Sequence, residues 1–169
     1  MDRIEEPIRE IHITGGLNPD LPYQYYLDLL ALCKEVRPDA VVKAFTAVEV
    51  AHFADTLGRD EAAVLREMKA VGLDALPGGG AEVFSPAMRE RLCPEKVTAD
   101  RWLHIHGLAH DMGIKTNSTM LFGHIESWED RIYDMERGLS LGVVRYEVKP
   151  RSYPELVACA RAIVEIVGA

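Results

Sequence analysis

The segment IHITGG, residues 11–16, combines the pattern of a short buried strand with two glycines at its end. Glycine reaches backbone angles that other residues avoid, and it lets a main chain approach a ligand closely. The next segment, PYQYYLDLLALCKEV, has apolar side chains at helical spacing. These are Tyr23, Tyr26, Leu27, Leu30 and Cys33. A strand, a glycine turn and a helix make one βα unit, which decides the fold because the chain repeats it.

Four further strand patterns follow along the chain, at residues 40–48, 73–77, 114–123 and 143–150. A helical pattern comes after each of them. Four of these helices each have apolar positions that share one face. The four sets are Val64, Met68 and Val71; Trp102, Ile105, Ala109 and Met112; Trp128, Ile132, Met135 and Leu139; and Leu156, Ala160, Ile163 and Val167. We expect the last set to face inward.

Strands that alternate with helices predict an α/β fold with a parallel sheet and right-handed crossovers. We expect one domain over residues 1–169, built from five βα units. Two architectures suit this count, a partial (β/α) barrel and a flavodoxin-like open sheet, and the sequence leaves the strand order open. Both place a binding site at the carboxyl ends of the strands. The residues that follow each strand are therefore the candidates for function.

Composition excludes several classes of function. The formal net charge is -8, whereas non-specific nucleic-acid binding needs a basic face. No apolar run has the length of about 18 residues that a membrane-spanning helix requires, and the polar, acidic start MDRIEEPIRE is unlike a secretory signal. Three widely spaced cysteines fit a reducing compartment. We therefore expect a cytoplasmic protein that binds neither nucleic acid nor membrane.

Glycine, hydroxyl, amide and carboxylate groups collect after the predicted strands. Taken alone, Gly15-Gly16 and Gly78–Gly80 favour turns, although a bare backbone also accepts the ammonium or carboxylate of a ligand. The helical histidines His104, His106 and His110 lack the HExxH pattern, so we expect them on a helix surface. The other polar candidates are Thr14, Asn18, Thr46, Glu49, Glu82, Asn117, His124 and Glu126.

Taken together, these segments indicate a protein family more specifically than any single segment does. In order and spacing, REIHITGGLNPDLPYQYYLDLLALCKEVRPD, VKAFTAVEV and EMKAVGLDALPGGGAEVFSPAMRERLCPEKVTADRWLHIHGLAHDMGIKTNSTMLFGHIESWEDR resemble radical S-adenosylmethionine enzymes of the futalosine route to menaquinone. The segments look like those of aminofutalosine synthase, and the cyclic dehypoxanthine futalosine and deazaflavin-cofactor synthases are similar. The resemblance covers about residues 9–137.

This resemblance implies a (β/α) barrel in which a [4Fe–4S] cluster cleaves S-adenosylmethionine to a 5′-deoxyadenosyl radical. Aminofutalosine synthase adds that radical to an enolpyruvyl ether of benzoate. The resemblance implies that ITGG holds the methionine moiety and that later strand ends line the nucleoside and substrate. The implied catalytic residues are Glu82 and His124. The implied binding residues are Thr14, Gly15, Gly16, Thr46, Glu49, Gly78, Gly79, Gly80 and Asn117.

The sequence also departs from that family. The family carries its cluster on a CxxxCxxC loop, which residues 1–169 do not contain, and Cys33, Cys93 and Cys159 are too far apart to replace three clustered thiolates. We therefore expect no metal site in this chain and no catalysis by the chain alone. Residual binding of S-adenosylmethionine, a nucleoside or another small molecule is the expected remaining property.

The last segment, residues 138–169, resembles the final strand and helix of a response-regulator receiver domain, where a Lys-Pro pair ends the fifth strand as Lys149-Pro150 would here. No position matches the phospho-accepting aspartate of receivers, which argues against a signalling module. An alternative to the enzyme fragment is a recombined or engineered scaffold without catalytic activity. In either case a partial barrel has two open sheet edges, through which we expect self-association.

Overall fold

Four short parallel strands form the sheet in the computed structural model, which describes residues 7–143 and 146–167. They are β1 (Glu10–Ile13), β2 (Val41–Ala44), β3 (Ala75–Leu76) and β4 (Lys115–Thr116). They lie side by side in the order β1-β2-β3-β4. A flavodoxin-like sheet would place the second strand outside the first. The predicted α/β class with a parallel sheet is confirmed, and the observed order is consistent with a partial (β/α) barrel, one of the two architectures that the sequence left open.

Helices follow the strands along the described chain. They are α1 (Tyr23–Val36), α2 (Ala47–Leu57), α3 (Glu61–Ala70), α4 (Pro86–Leu92), α5 (Ala99–Asp111), α6 (Trp128–Leu139) and α7 (Tyr153–Val167). The Asp60 side chain accepts a hydrogen bond from the Ala63 amide and caps α3, and Thr98 caps α5 through the Arg101 amide. Both caps satisfy backbone donors that the first helical turn leaves unpaired.

The core lies between the sheet and helices α1, α2, α3 and α5. The predicted faces of α3 and α5 supply it, since Val64, Met68, Ile105 and Ala109 are fully buried. Tyr26 of α1 joins two aromatic rings there, Phe45 after β2 and Phe53 on α2, with centroid separations of 5.4 and 4.6 Å. Helical spacing thus correctly predicted most of the buried side chains of these helices, while the predicted members Tyr23, Leu27, Val71 and Met112 are only partly buried.

Two of the predicted strands are too long. The strand predicted over 40–48 ends at Ala44, because Thr46 caps α2 and Ala47 already belongs to that helix. The strand predicted over 114–123 is limited to Lys115–Thr116, with one isolated parallel bridge between Glu82 and Met120 beyond it. The polar side chains that follow Thr116 therefore lie in a loop after the strand.

The prediction of a fifth strand over residues 143–150 is wrong for the described residues of that range. Residues 143 and 146–150 are not strand, while residues 144 and 145 lie outside the described part of the chain. Lys149-Pro150 therefore does not end a strand, and the receiver-like interpretation of residues 138–169 receives no support from the fold. The described sheet contains four strands where five were predicted.

The chain separates into two compact units, Met1–Asp134 and Met135–Ala169. The face of α7 that we expected to point inward is exposed at its two large members, Leu156 and Ile163, while Val167 lies outside the described side chains. The apolar stripe of α6 is also exposed, at Trp128, Ile132, Met135 and Leu139. No helix in the described residues has the length and apolar character needed to cross a membrane.

Candidate functional site

A buried carboxylate joins the ends of β1 and β2. Glu49, on the first turn of α2, accepts hydrogen bonds from the Gly15 and Gly16 amides on Oε1, at 2.8 and 3.1 Å. Its Oε2 accepts from the Thr46 amide and hydroxyl, at 2.7 and 2.9 Å. Both carboxylate oxygens are thus engaged by protein donors, as a carboxylate that is only 3% exposed requires. The geometry favours a role for Glu49 in holding the ITGG turn over direct contact with a ligand.

Thr46 and Glu49 form a capping box, in which each side chain bonds the backbone amide of the other. Sequence reasoning treated TAVE only as a strand end that faces a ligand. The Thr-x-x-Glu spacing itself predicts a helix start, so this signal was available and was missed. Phe45, directly before the cap, has φ 59, which is unusual for an aromatic residue. The strained turn takes the chain from β2 into α2 within two residues.

The glycine loop, Gly78–Gly80, lies at the end of β3 between its two neighbouring strand ends. A methyl group on Gly78 would collide with the backbone of Asn117 and Ser118, beyond β4. A methyl group on Gly79 would lie 3.0 Å from Thr46 Cγ2, beyond β2. Glycine is needed here because the loop is packed between two other chain segments. The loop therefore connects the candidates after β2 with those after β4 in one row.

Gly80 completes the loop with φ 82, a left-handed conformation that glycine adopts without strain. A side chain there would also collide with Val48 of α2. On the other side of the loop, the Trp102 indole Nε1 of α5 donates to the Gly79 carbonyl at 3.1 Å. Helices α2 and α5 thus both help to fix the loop.

Glu82 has φ 51 and forms an ion pair with Lys96. Its carboxylate therefore already has a cationic partner, although the side chain keeps 19% of its surface exposed. A left-handed backbone at a residue other than glycine costs roughly 1–2 kcal/mol and is frequent at functional sites. Phe45 has the same kind of strained backbone. In the described chain, these two residues are the ones other than glycine with a left-handed backbone, and each follows a strand of the sheet.

The remaining polar candidates divide into two groups. Thr14 and Asn117 are exposed directly after β1 and β4, in the row that the glycine loop joins. His124 is exposed farther along, and its amide donates to Glu126 at 2.8 Å. Amide donors from Gly123 and His124, together with Arg131, lower the pKa of Glu126 to about 2. Glu126 therefore holds a turn, and within the described part of the chain no hydrogen bond or ion pair joins His124 to the row.

The helical histidines differ from the surface prediction at one position. His104 and His110 are exposed, but His106 is buried and stacks on Trp102 with a centroid separation of 3.6 Å. Burial, with a smaller effect of His110, lowers the pKa of His106 to about 3. Its Nε2 has no hydrogen-bond partner among the described atoms. A neutral ring in this position serves packing against Trp102, whose indole bonds the glycine loop.

Cysteines do not cluster in the described structure. Cys33 is buried in the core, and burial raises the pKa of its thiol. Cys93 and Cys159 are partly buried at other places. Within residues 7–143 and 146–167, no three His, Cys, Asp or Glu side chains come together as a metal site would require. The described residues therefore do not fit a [4Fe–4S] cluster, and we derive no reaction step through one.

Comparison with known proteins identifies similar sequences. The family model described as "Radical SAM superfamily" matches residues 1–137. The chain is 46% identical over 136 residues to aminodeoxyfutalosine synthase of Thermus thermophilus, which covers 80% of this chain and 37% of that protein. The enzyme of the same name from Streptomyces coelicolor is 41% identical over 127 residues, or 75% of this chain and 33% of that protein.

A relative with a different name is equally similar. The 5-amino-6-(D-ribitylamino)uracil–L-tyrosine 4-hydroxyphenyl transferase of Methanopyrus kandleri is 46% identical over 128 residues, or 76% of this chain and 35% of that protein. The chain thus spans about a third of the length of these relatives. The matched part contains β1 to β4 and the row of candidates that follows them.

Proposed function

Because the chain belongs to the radical SAM superfamily, we propose that it forms the part of an aminofutalosine synthase-like enzyme that binds S-adenosylmethionine. Membership of this superfamily implies S-adenosylmethionine and a [4Fe–4S] cluster as cofactors. The observation that carries the proposal is the continuous row of strand ends. Gly15 and Gly16 are joined to Thr46 through Glu49, Thr46 contacts the glycine loop, and that loop packs on Asn117.

The orientation of the ITGG turn supports a site for the methionine ammonium group. Glu49 occupies the amides of Gly15 and Gly16, so these donors are not available to a ligand carboxylate. The carbonyl oxygens of both glycines accept no hydrogen bond from any described residue. Carbonyl oxygens at a strand end suit an ammonium group. We therefore assign the amino group of S-adenosylmethionine to Gly15 and Gly16, with Glu49 as the residue that orients the turn.

The loop after β3 supports a site for the adenosine moiety. Glycines allow a flat ligand to approach the main chain closely, and Gly79 is the partly exposed member of the loop. Thr14 and Asn117 offer hydroxyl and amide groups at the two ends of the row. When bound, S-adenosylmethionine would supply the 5′-deoxyadenosyl group that aminofutalosine synthase adds to its substrate. The residues of this chain bind and orient that cofactor, and Glu82 and His124 remain predicted catalytic residues.

Titration with S-adenosylmethionine tests the binding proposal. Gly16 and Gly58 make a matched pair, because both have positive φ (71 and 61) and neither would contact an atom within 4 Å through an added methyl group. Alanine at either position strains the backbone to a similar extent. We expect Gly16→Ala to weaken S-adenosylmethionine binding at least fivefold, as about 1 kcal/mol implies, and Gly58→Ala to leave it unchanged. No binding to the wild type at millimolar ligand would remove the site.

The chemical step needs a separate test. We expect the 169-residue chain to form no 5′-deoxyadenosine after anaerobic reconstitution with iron and sulfide. A stoichiometric cluster together with 5′-deoxyadenosine would overturn this expectation. Supplying the enolpyruvyl ether of benzoate to such a sample, with tyrosine and the ribitylaminouracil as the competing pair, would then decide which relative's reaction the chain takes part in. The alternative of a non-catalytic hybrid scaffold predicts at most residual binding of S-adenosylmethionine or a nucleoside, and no product.

A further inference from the structure

The segment that follows the glycine loop, residues 80–85, is held by two buried side chains of opposite charge. Arg89, on α4, is only 6% exposed, and Asp134, on α6, is equally buried. Arg89 binds carbonyl oxygens of the segment, whereas Asp134 binds its amides. Each side chain thus takes the backbone groups that suit its charge.

The arginine contacts are numerous. Arg89 Nη1 donates to the carbonyls of Ala81 and Val83 at 2.6 and 2.9 Å, and Nη2 donates to Gly80 at 3.0 Å. Its Nε donates to the carbonyl of Val97 at 2.9 Å. The planar fork of a guanidinium is suited to such divergent acceptors, and a lysine ammonium is not. Arg89 thus binds the backbone carbonyls on both sides of Glu82, which has a left-handed φ.

The aspartate contacts continue the same segment. Asp134 Oδ1 accepts from the amides of Phe84 and Ser85, at 2.7 and 2.9 Å. Burial raises the pKa of Asp134, and the two amides and the charge of Arg89 lower it in part. A buried charge without a partner is strongly destabilising, so each member of this arrangement needs the other or the backbone dipoles between them.

We propose that Arg89 and Asp134 are positioning residues that set the conformation of the glycine loop and of Glu82 for the cofactor. The proposal rests on the S-adenosylmethionine site proposed above, to which it adds two residues that do not touch the ligand. Their effect reaches the ligand through the carbonyl of Gly80 and the backbone of Glu82. No sequence pattern identifies these two residues, because Arg89 and Asp134 occupy polar positions of surface helices.

Arg89→Met tests the proposal, with Arg59→Met as the control. Arg59 forms a two-fold ion pair with Glu67 at 2.9 Å for each contact and does not contact the loop. Two readouts are needed, amide hydrogen exchange over residues 80–85 and the dissociation constant for S-adenosylmethionine measured on folded protein. We expect Arg89→Met to speed exchange at Phe84 and Ser85 at least tenfold and to weaken binding at least tenfold. We expect Arg59→Met to change neither.

Further measurements separate positioning from general stability. Millimolar guanidinium, far below denaturing concentration, should restore binding to Arg89→Ala, and urea at the same concentration should not, because only the cation replaces the missing group. If Arg89→Met does not fold, Arg89→Lys and Asp134→Asn carry the same readouts. Exchange no faster than in the wild type, or wild-type binding, in both variants would overturn the proposal. Folded Arg89→Met with exchange and affinity within twofold of the wild type would also overturn it.

Failure of the proposed function would look different. If the wild type binds no S-adenosylmethionine, the cofactor site falls, yet exchange at residues 80–85 still decides whether Arg89 and Asp134 hold the loop. If the wild type binds and Arg89→Met binds equally well, the cofactor site stands and the positioning role falls. The emission of Trp102 in a Trp128→Phe background adds a local signal, because the chain has only two tryptophans and Trp102 bonds the loop.

Discussion

Helices α5 and α6 carry the same kind of apolar stripe, but their surroundings are opposite. On α5, Trp102, Ile105 and Ala109 are buried against the sheet and the neighbouring helices. On α6, Trp128 is 73% exposed and Ile132 is 53% exposed. Periodicity states which side chains share a face, and it does not state whether another part of the molecule covers that face. The difference shows where the described chain supplies its own core and where it does not.

The polar side of α6 behaves differently from its apolar stripe. Asp134 reaches the backbone of Phe84 and Ser85, and Asp130 accepts from the Ser85 hydroxyl at 2.8 Å. Arg131 lies 4.6 Å from the Trp128 ring centroid and also bonds Glu126. The first half of α6 is thus attached to the site through hydrogen bonds, in contrast to α5, which is attached mainly by apolar packing.

The largest expected effect comes from the buried stripe. Replacement of Ile105, which is fully buried on α5, by alanine leaves a cavity in the core. We expect Ile105→Ala to lower the free energy of unfolding by about 2–5 kcal/mol, measured by urea denaturation. A loss below about 1 kcal/mol would contradict the tight burial of the α5 stripe and would mean that this core is loosely packed.

A second prediction concerns pH and uses the buried histidine of α5. The pKa of His106 is lowered from 6.5 to about 3, so between these values the unfolded chain binds a proton that the folded chain rejects. Stability therefore rises with pH across this window and is fully recovered above 6.5. We expect the His106 ring to cost about 2 kcal/mol of stability near pH 5, relative to neutral pH.

His106→Leu should remove this part of the pH dependence, whatever it does to stability at neutral pH. His104, exposed on the same helix, provides the control, and His104→Leu should keep the wild-type slope. The measurement is urea denaturation at a series of pH values between about 4 and 7. Curves of stability against pH that run parallel for the wild type and His106→Leu would contradict the buried, neutral state of this ring.

Much of the fold followed from the sequence, and the errors have identifiable causes. The parallel sheet, the order of β1 to β4 with α1, α2, α3 and α5, and most of the buried face of α3 and α5 were predicted correctly, because these segments bury the apolar side chains that repeat at helical spacing. Strand ends were misplaced because β-branched residues continue into the helix that Thr46 caps. Helix α4 was missed, although Pro86 in its first turn is a recognised start signal.

The sequence predicted where the candidate site residues lie along the chain, at the carboxyl ends of the strands, but it did not predict the hydrogen bonds and ion pairs among them. The rule that ligands bind at the carboxyl ends of parallel strands selected the row from Gly15 to Asn117. It could not show that Glu49 binds backbone amides or that Glu82 pairs with Lys96, since both depend on chain segments that are distant in sequence. Arg89 gave no signal either, because a buried arginine on a short helix has the same sequence pattern as a solvated one.

The smallest expected effect is on the exposed stripe and completes the comparison. Ile132→Ala removes the same atoms as Ile105→Ala, but from a side chain that is mostly in solvent, and alanine favours the helix more than isoleucine does. We expect the free energy of unfolding to change by less than about 0.5 kcal/mol. A loss as large as that of Ile105→Ala would show that the α6 stripe is covered in solution. If that loss also depended on protein concentration, the cover would be a second copy of the chain, because only association makes stability depend on concentration.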